Sequence, residues 1–211
     1  PIIIIQNTKL FPALIPVQFE AKINVDRHNP SYVRAAFDAE RKRSKGKINE
    51  IGNVFFTTSE GELEASIPTE EFFAAVAMRP PAELSRTLKP QYMAGIQLFS
   101  PNQTFLIFET DAYEPAAAGM LSWERNLEEE VGKFLRSPDD LAYPSSAAAA
   151  LERRLFKDKV YKNLDTRALF NEKGELLFLY TFINRKYLVL TTDPETLGKI
   201  VAGLAAHSVS R

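Results

Sequence analysis

Residues 176–192 read LLFLYTFINRKYLVLTT, and among Leu176–Ile183 only Thr181 is neither aliphatic nor aromatic. A run this apolar is a membrane segment or part of a core. It is too short to span a bilayer, which needs about 20 apolar residues, and Asn184-Arg185-Lys186 interrupts it before YLVLTT resumes. Two adjacent strands of a meander satisfy both facts. Leu176, Phe178, Tyr180 and Phe182 would then face one way, and Leu177, Leu179 and Ile183 the other. Both faces are apolar, so this strand is expected at the centre of a sheet. Its second face must be covered by the chain's own helices or by another chain. Upstream, TRALF leads into Asn171-Glu172-Lys173-Gly174, with Asn first and Gly fourth as a type I turn prefers.

The rest of the chain supplies partners for that strand. VQFEAKINV, residues 17–25, alternates apolar and polar residues and reads as a strand with one wet face. Asn29-Pro30 reads as an N-cap followed by proline at the first helical position, opening a helix with Tyr32, Val33, Ala36 and Phe37 inward that stops near Gly46. IGNVFFTT, residues 51–58, is a second strand. Thr69-Glu70-Glu71 opens a helix through Phe72, Phe73 and Val76, ended by Pro80-Pro81 and followed by a short helix with Leu84 and Leu88. YMAGIQLF and TFLIFE flank Ser100-Pro101-Asn102, a turn between strands. Asp111 is placed to cap a helix running to Arg136, with Tyr113, Ala116, Met120, Trp123, Leu127 and Phe134 on its core face. SPDDLAYPSSAAAALERR reads as an internal linker leading into another helix. Thr192-Asp193-Pro194-Glu195 caps a last helix through Leu197, Ile200, Val201 and Leu204.

An α+β fold follows: a mainly antiparallel sheet of about six or seven strands with helices packed on it, including one long helix near 112–136. The 211 residues fit a single domain over 1–211, and the place to divide it, near 137–147, is the linker. The chain opens PIIIIQNTKLFPALIP without an initiator Met, as a processed or trimmed start would, so a signal or anchor further upstream would be gone with it. Ile2–Ile5 is itself too short to cross a membrane.

Composition restricts the chemistry. Apolar residues make up 45% and charged residues 25%, as in an ordinary globular protein. The net charge of −1 offers no global field for nucleic acid or anionic lipid, so any such contact must be local. With no cysteine there are no disulfides, thiolate nucleophiles or cysteine-ligated metals. The fingerprints of phosphate loops, dinucleotide folds and zincins are absent, so neither a metal nor a cofactor is expected. Of the two histidines, His207 sits in a terminal tail. His28, in DRHNPS, lies near Asp26 and Ser31, but these crowd one strand-to-helix turn, where Asp26, Asn29 and Ser31 are suited to turns and caps rather than to a triad. Glu128, Glu129 and Glu130 are consecutive and must fan out around a helix. No catalytic residue is assigned. The one concentrated charge signal is RKRSKGK, where Arg41, Lys42, Arg43, Lys45 and Lys47 form a candidate interaction patch. The same cations also suit the end of the helix begun at Asn29. No aromatic residues interleave them, so nucleic acid is not the expected partner.

Two long stretches, YMAGIQLF…TFLIFETDAYEPAAAGMLSWERNLEEEV and LFKDKVYKNLDTRALFNEKGELLFLYTFINRKYLVLTTDPETLGKIV, together resemble an uncharacterised module. It occurs in predicted membrane-anchored proteins of candidate-phylum (Parcubacteria-type) bacteria. Gly119, Met120, Leu121, Trp123, Glu124, the strand holding Arg167 and the Tyr180-to-Thr192 hairpin carry the likeness, which covers residues 60–204 and, more loosely, those before. The ending YLVLTTDPETL is also similar to a wider class of secreted bacterial domains of unknown function. In the module's proteins a proline-rich cytoplasmic segment and one membrane helix precede a domain outside the membrane. The resemblance therefore implies an extracytoplasmic domain, membrane-anchored through a tether absent from this chain. It brings no catalytic residues. The expected role is non-enzymatic binding of a protein or cell-envelope component in a surface or pilus-like assembly, with self-association into a homo-oligomer open to it. The alternative is an envelope hydrolase whose acidic residues meet only in the fold. A deep pocket with converging carboxylates would favour the hydrolase, and an exposed apolar patch the binder.

Overall fold

The computed structural model describes residues 8–61, 63–136 and 155–209. The expected linker, the dividing point near 137–147 and the helix after it lie outside these residues. In chain order the elements are β1 (Thr8–Lys9), β2 (Phe19–Asn24), α1 (Pro30–Arg43), β3 (Ile51–Glu60), β4 (Leu63–Ser66), α2 (Thr69–Ala75), α3 (Ala82–Ser85), β5 (Leu88–Gln97) and β6 (Gln103–Thr110). There follow α4 (Tyr113–Leu127), prolonged by a π turn (Glu128–Gly132) and Lys133–Leu135, then β7 (Lys157–Tyr161), β8 (Leu164–Phe170), β9 (Leu176–Ile183), β10 (Tyr187–Thr191) and α5 (Pro194–Val209).

All ten strands join one sheet in the order β1-β4-β3-β5-β6-β10-β9-β8-β7, with β2 also on β3. Seven of the nine pairings are antiparallel, so the expected α+β architecture with a mainly antiparallel sheet is present. The exceptions are β1 on β4 and β2 on β3, the latter joined by α1 as a parallel pair requires. Thr57 pairs with both Asn24 and Ser66, and Val54 with both Ala21 and Ala94. Consequently β4 and β5 lie end to end along one edge of β3, and β2 takes the other. The strand number exceeds the expected six or seven because β1, β4 and β7 are short and polar. β7, KDKVY, is an exposed edge strand whose turn into β8 places Lys162 and Asn163 at φ 52° and 60° without a glycine.

The two-faced strand is central and its cover is the chain's own. On one face α1 to α4 deliver Val33, Phe37, Phe72, Phe73, Leu84, Met120 and Trp123 against Phe56, Leu106, Phe108, Phe178, Tyr180 and Leu190. Phe72 is the hub of that layer: its ring lies 5.0 Å from Phe56, 4.4 Å from Tyr92 and 5.6 Å from Phe134. On the other face α5 and the segment before β2 bring Leu197, Ile200, Leu204, Leu14 and Ile15 onto Phe105, Ile107, Leu179 and Val189. One pair of orientations differs from expectation. The β8–β9 register shifts where Phe170 pairs with Leu176 and Leu169 with Phe178. Leu177 is therefore the bulged residue and joins Phe178 on the helical face, while Leu176 packs on the opposite one.

The caps at Asn29 and Asp193 form as expected, with Asn29 Oδ1 accepting the Tyr32 N–H at 2.9 Å and Asp193 Oδ2 the Thr196 N–H at 2.8 Å. Others differ. Tyr32 faces solvent, because the buried stripe of α1 runs through Val33, Phe37, Glu40 and Arg41. α2 does open at Thr69, whose hydroxyl donates to the Lys89 and Pro90 carbonyls of β5. Leu88 begins a strand rather than ending a helix. Asp111 does not cap α4: the N-cap position falls on Ala112, and the Asp111 carboxylate lies 3.1 Å from Lys89 Nζ.

Two sheet glycines are roofed by the aromatic residue directly opposite them. A Cβ on Gly95 would lie 2.0 Å from Cζ of Phe105, and one on Gly52 2.0 Å from Cε2 of Phe19. Phe105 is wholly buried and has nowhere to move. Gly95→Ala is therefore expected to destabilise the fold by about 1–3 kcal/mol, as overpacking does. Phe178→Ala, in a fully buried site beside Phe156, is expected to cost about 3–5 kcal/mol. Denaturant unfolding of both variants checks the pair; an unchanged midpoint for either would place that side chain outside the core.

Candidate functional site

The turn holding Asp26, His28 and Ser31 is spent on structure. The Asp26 carboxylate accepts the Ser59 N–H at 2.7 Å, the Thr58 hydroxyl and the Asn24 amide at 3.1 Å. The Thr58 bond above all, with the Ser59 N–H, holds its pKa below the ordinary 3.8. The His28 ring stacks on Tyr32 at 3.9 Å, and its imidazole makes no hydrogen bond to Asp26 or Ser31. The three types stand close in sequence without forming a relay. The side chain of His207 lies outside the described residues.

A second cluster joins residues that the sequence left far apart. Arg167 on β8 donates from Nε and Nη2 to the two oxygens of Glu124 on α4, each at 2.7 Å, and from Nη1 to Asp158 at 2.8 Å. The Tyr180 hydroxyl donates to Glu124 at 2.6 Å. Burial first, and then the bond to Glu124, pushes the Tyr180 phenol well above its usual value. The same carboxylate raises Arg167 further. With the guanidinium fork and a phenol on it, Glu124 serves as a clamp between α4 and the sheet. The glutamates after it diverge as expected: Glu129 pairs with Lys133, while Glu130 accepts from Trp123 Nε1 at 3.0 Å and from the Arg79 N–H at 2.6 Å.

The basic run Arg41–Lys47 is divided by the fold. Arg41 is 7% exposed and does not belong to the surface. Its guanidinium donates to Asp38 at 3.0 Å and to the Asn102 carbonyl at 3.2 Å, while Asn102 Nδ2 returns bonds to the carbonyls of Arg41 at 2.8 Å and Ser44 at 3.0 Å. The β5–β6 turn thus caps the end of α1. Lys42 pairs with Asp38 at 3.0 Å, and Arg43 with Glu40. These carboxylates are sunk, with side chains 18% and 10% exposed, whereas Lys42 and Arg43 project outward. Lys45 and Lys47 are exposed, and their ammonium groups have no hydrogen-bond or ion-pair partner among the described residues.

Beside these cations lie two apolar side chains far apart in the chain, Ile48 and Phe99. The Asn49 N–H donates to the Leu98 carbonyl and the Leu98 N–H to the Glu50 carbonyl, both at 2.8 Å. That ladder sets Ile48 across from Phe99. Ile48 is 67% exposed and Phe99 47%. The end of α1, the loop after it and the β5–β6 turn therefore form one hydrogen-bonded tip carrying cations and an exposed apolar pair. Elsewhere, an open groove of ≈ 740 Å³ runs beside α2, with Phe73, Met78 and Leu88 in its wall and Arg79 and Arg86 at its rim. Glu70 is the carboxylate in its lining. Among the described residues no three His, Asp or Glu side chains gather as a metal ion would need, and no helix is long and apolar enough to cross a membrane.

Asn102 is the bolt of the tip. Asn102→Ala removes the amide that donates to the carbonyls of Arg41 and Ser44, which is expected to cost about 1–3 kcal/mol. Faster amide hydrogen exchange confined to the end of α1 and residues 44–50 would accompany it; exchange unchanged there would show that the tip is held by other contacts.

No family model matches the chain, and neither curated proteins nor solved structures show a match to it.

Proposed function

We propose that this chain is a non-enzymatic binding domain that presents the basic, apolar tip around Lys45, Lys47, Ile48 and Phe99 to a partner. The observation that carries the reading is the meeting, on one hydrogen-bonded tip, of two exposed apolar side chains with the exposed ammonium groups of Lys45 and Lys47. Among the described residues both faces of the central strands are covered by the chain's own helices and the segment before β2. The tip keeps two large apolar side chains in water next to the Lys45 and Lys47 ammonium groups, which have no partner among the described residues. Exposed apolar surface rimmed by charge marks contact sites on soluble domains. The likeness to the membrane-anchored module adds the setting: an extracytoplasmic domain held by a tether, meeting a protein or envelope component in a surface assembly, with a second copy of the chain among the candidates.

Sedimentation of the chain and its immobilisation against solubilised envelope protein test this. The expected result is retention of a partner, or self-association, that Lys45→Glu/Lys47→Glu reduces at least about tenfold, as loss of steering and contact charge at an interface does. A strictly monomeric chain that retains nothing, and that turns over an envelope substrate until Glu70→Gln stops it, would overturn the reading in favour of a hydrolase.

A further inference from the structure

We infer that the tip also docks on the surface of an anionic lipid bilayer, with Ile48 and Phe99 entering the headgroup boundary and the cations meeting lipid phosphates. This rests on the proposed reading of the chain as a binding domain and names the chemistry of one partner. Three features of the tip carry it. First, its charge is sorted by depth: Asp38 and Glu40 lie low, while Lys42, Arg43, Lys45 and Lys47 stand outermost. Including Arg41 and Glu50, the segment 38–50 holds five cations and three carboxylates, an excess of two positive charges. Second, the exposed apolar pair sits on adjacent loop crests, where it can enter a soft surface without opening the fold. Third, the Asn102 bonds and the Asn49–Leu98 ladder hold the crests together, so little ordering is needed on contact.

The apolar pair decides between anionic partners. A phosphate-only contact, as with a nucleic-acid backbone, gains nothing from an exposed Ile48, and there is no row of aromatic side chains on which bases could stack. An interfacial lipid contact uses both parts at once, apolar side chains in the acyl boundary and cations at the headgroups. Each cation held near an anionic leaflet strengthens binding about fivefold, so four exposed cations and two shallow apolar anchors give weak, salt-sensitive association.

Co-sedimentation of the full chain with phosphatidylglycerol-rich vesicles, against pure phosphatidylcholine vesicles, tests the inference. The expected result is binding to the former alone, lost at high salt, and weakened at least about tenfold both by Lys45→Glu/Lys47→Glu and by Ile48→Ser/Phe99→Ser. A Phe99→Trp variant should show a blue-shifted emission on those vesicles, which a purely ionic contact would not produce. Arg79→Glu/Arg86→Glu, at the groove, should bind vesicles as the parent does. Equal binding to both lipids, indifference to the tip variants, or binding to a single-stranded oligonucleotide that survives Ile48→Ser/Phe99→Ser would each overturn the inference. Retention of an envelope protein through Lys45 and Lys47 without vesicle binding would overturn the lipid contact and leave the binding-domain reading standing. Loss of both would overturn both.

Discussion

Side chains of the central strands leave the sheet in both directions and are apolar in both. β6 sends Leu106 and Phe108 towards α1 to α4 and Phe105 and Ile107 towards α5, and all four are essentially dry. β10 does the same with Leu188 and Leu190 against Val189. Each such side chain stabilises the fold by about 1.5–3 kcal/mol only while something covers it. A sheet of this kind cannot exist in two layers. Among the described residues α1 to α4 answer that demand on one face, and α5 with the segment before β2 answers it on the other. The larger layer is keyed by rings meeting at Phe72, so α1, α2 and α4 must arrive together for any of their aromatic side chains to be buried well.

Apolar contact is non-directional, and a second set of residues gives the layers their orientation. Glu124 pins α4 to β8 and β9 through Arg167 and Tyr180. Thr69 pins α2 to β5, and Asn102 pins α1 to the β5–β6 turn. These polar bolts are few and buried or half-buried, where a broken hydrogen bond is not replaced cheaply by water. The Asn102 bolt ties the end of a basic helix to the β5–β6 turn and gives that surface a fixed shape.

Much of this was legible before any coordinates. The two-faced pattern of Leu176–Ile183 demanded a covered central strand, and Asn29-Pro30 and Asp193-Pro194 marked their helices through cap chemistry that acts within a few residues. The failures share a cause: the deciding partner was distant in the chain. Asp111 looks like a cap, but Ala112 takes that position and the Asp111 carboxylate pairs with Lys89 instead. Arg41 belongs to a basic run by composition and to the interior by its bonds to Asp38 and Asn102. β7 gave no signal because an exposed edge strand of Lys, Asp and Val has no apolar alternation to read. The tip was only half visible: RKRSKGK announces itself, whereas Ile48 and Phe99 are two unremarkable residues until the Asn49–Leu98 ladder brings them level.

The second face of the sheet is closed by residues drawn from opposite regions of the chain. Ile15 lies so near Gly203 that a Cβ there would come within 2.8 Å of it, and both press on strands made of the intervening sequence. During synthesis the ribosome delivers β1 to β10 before α5. Phe105, Ile107, Leu179 and Val189 must then wait, uncovered, until Leu197, Ile200 and Leu204 have emerged. A nascent chain paused in that interval presents a broad greasy sheet to the cell, the kind of surface that chaperones hold and that aggregates in their absence.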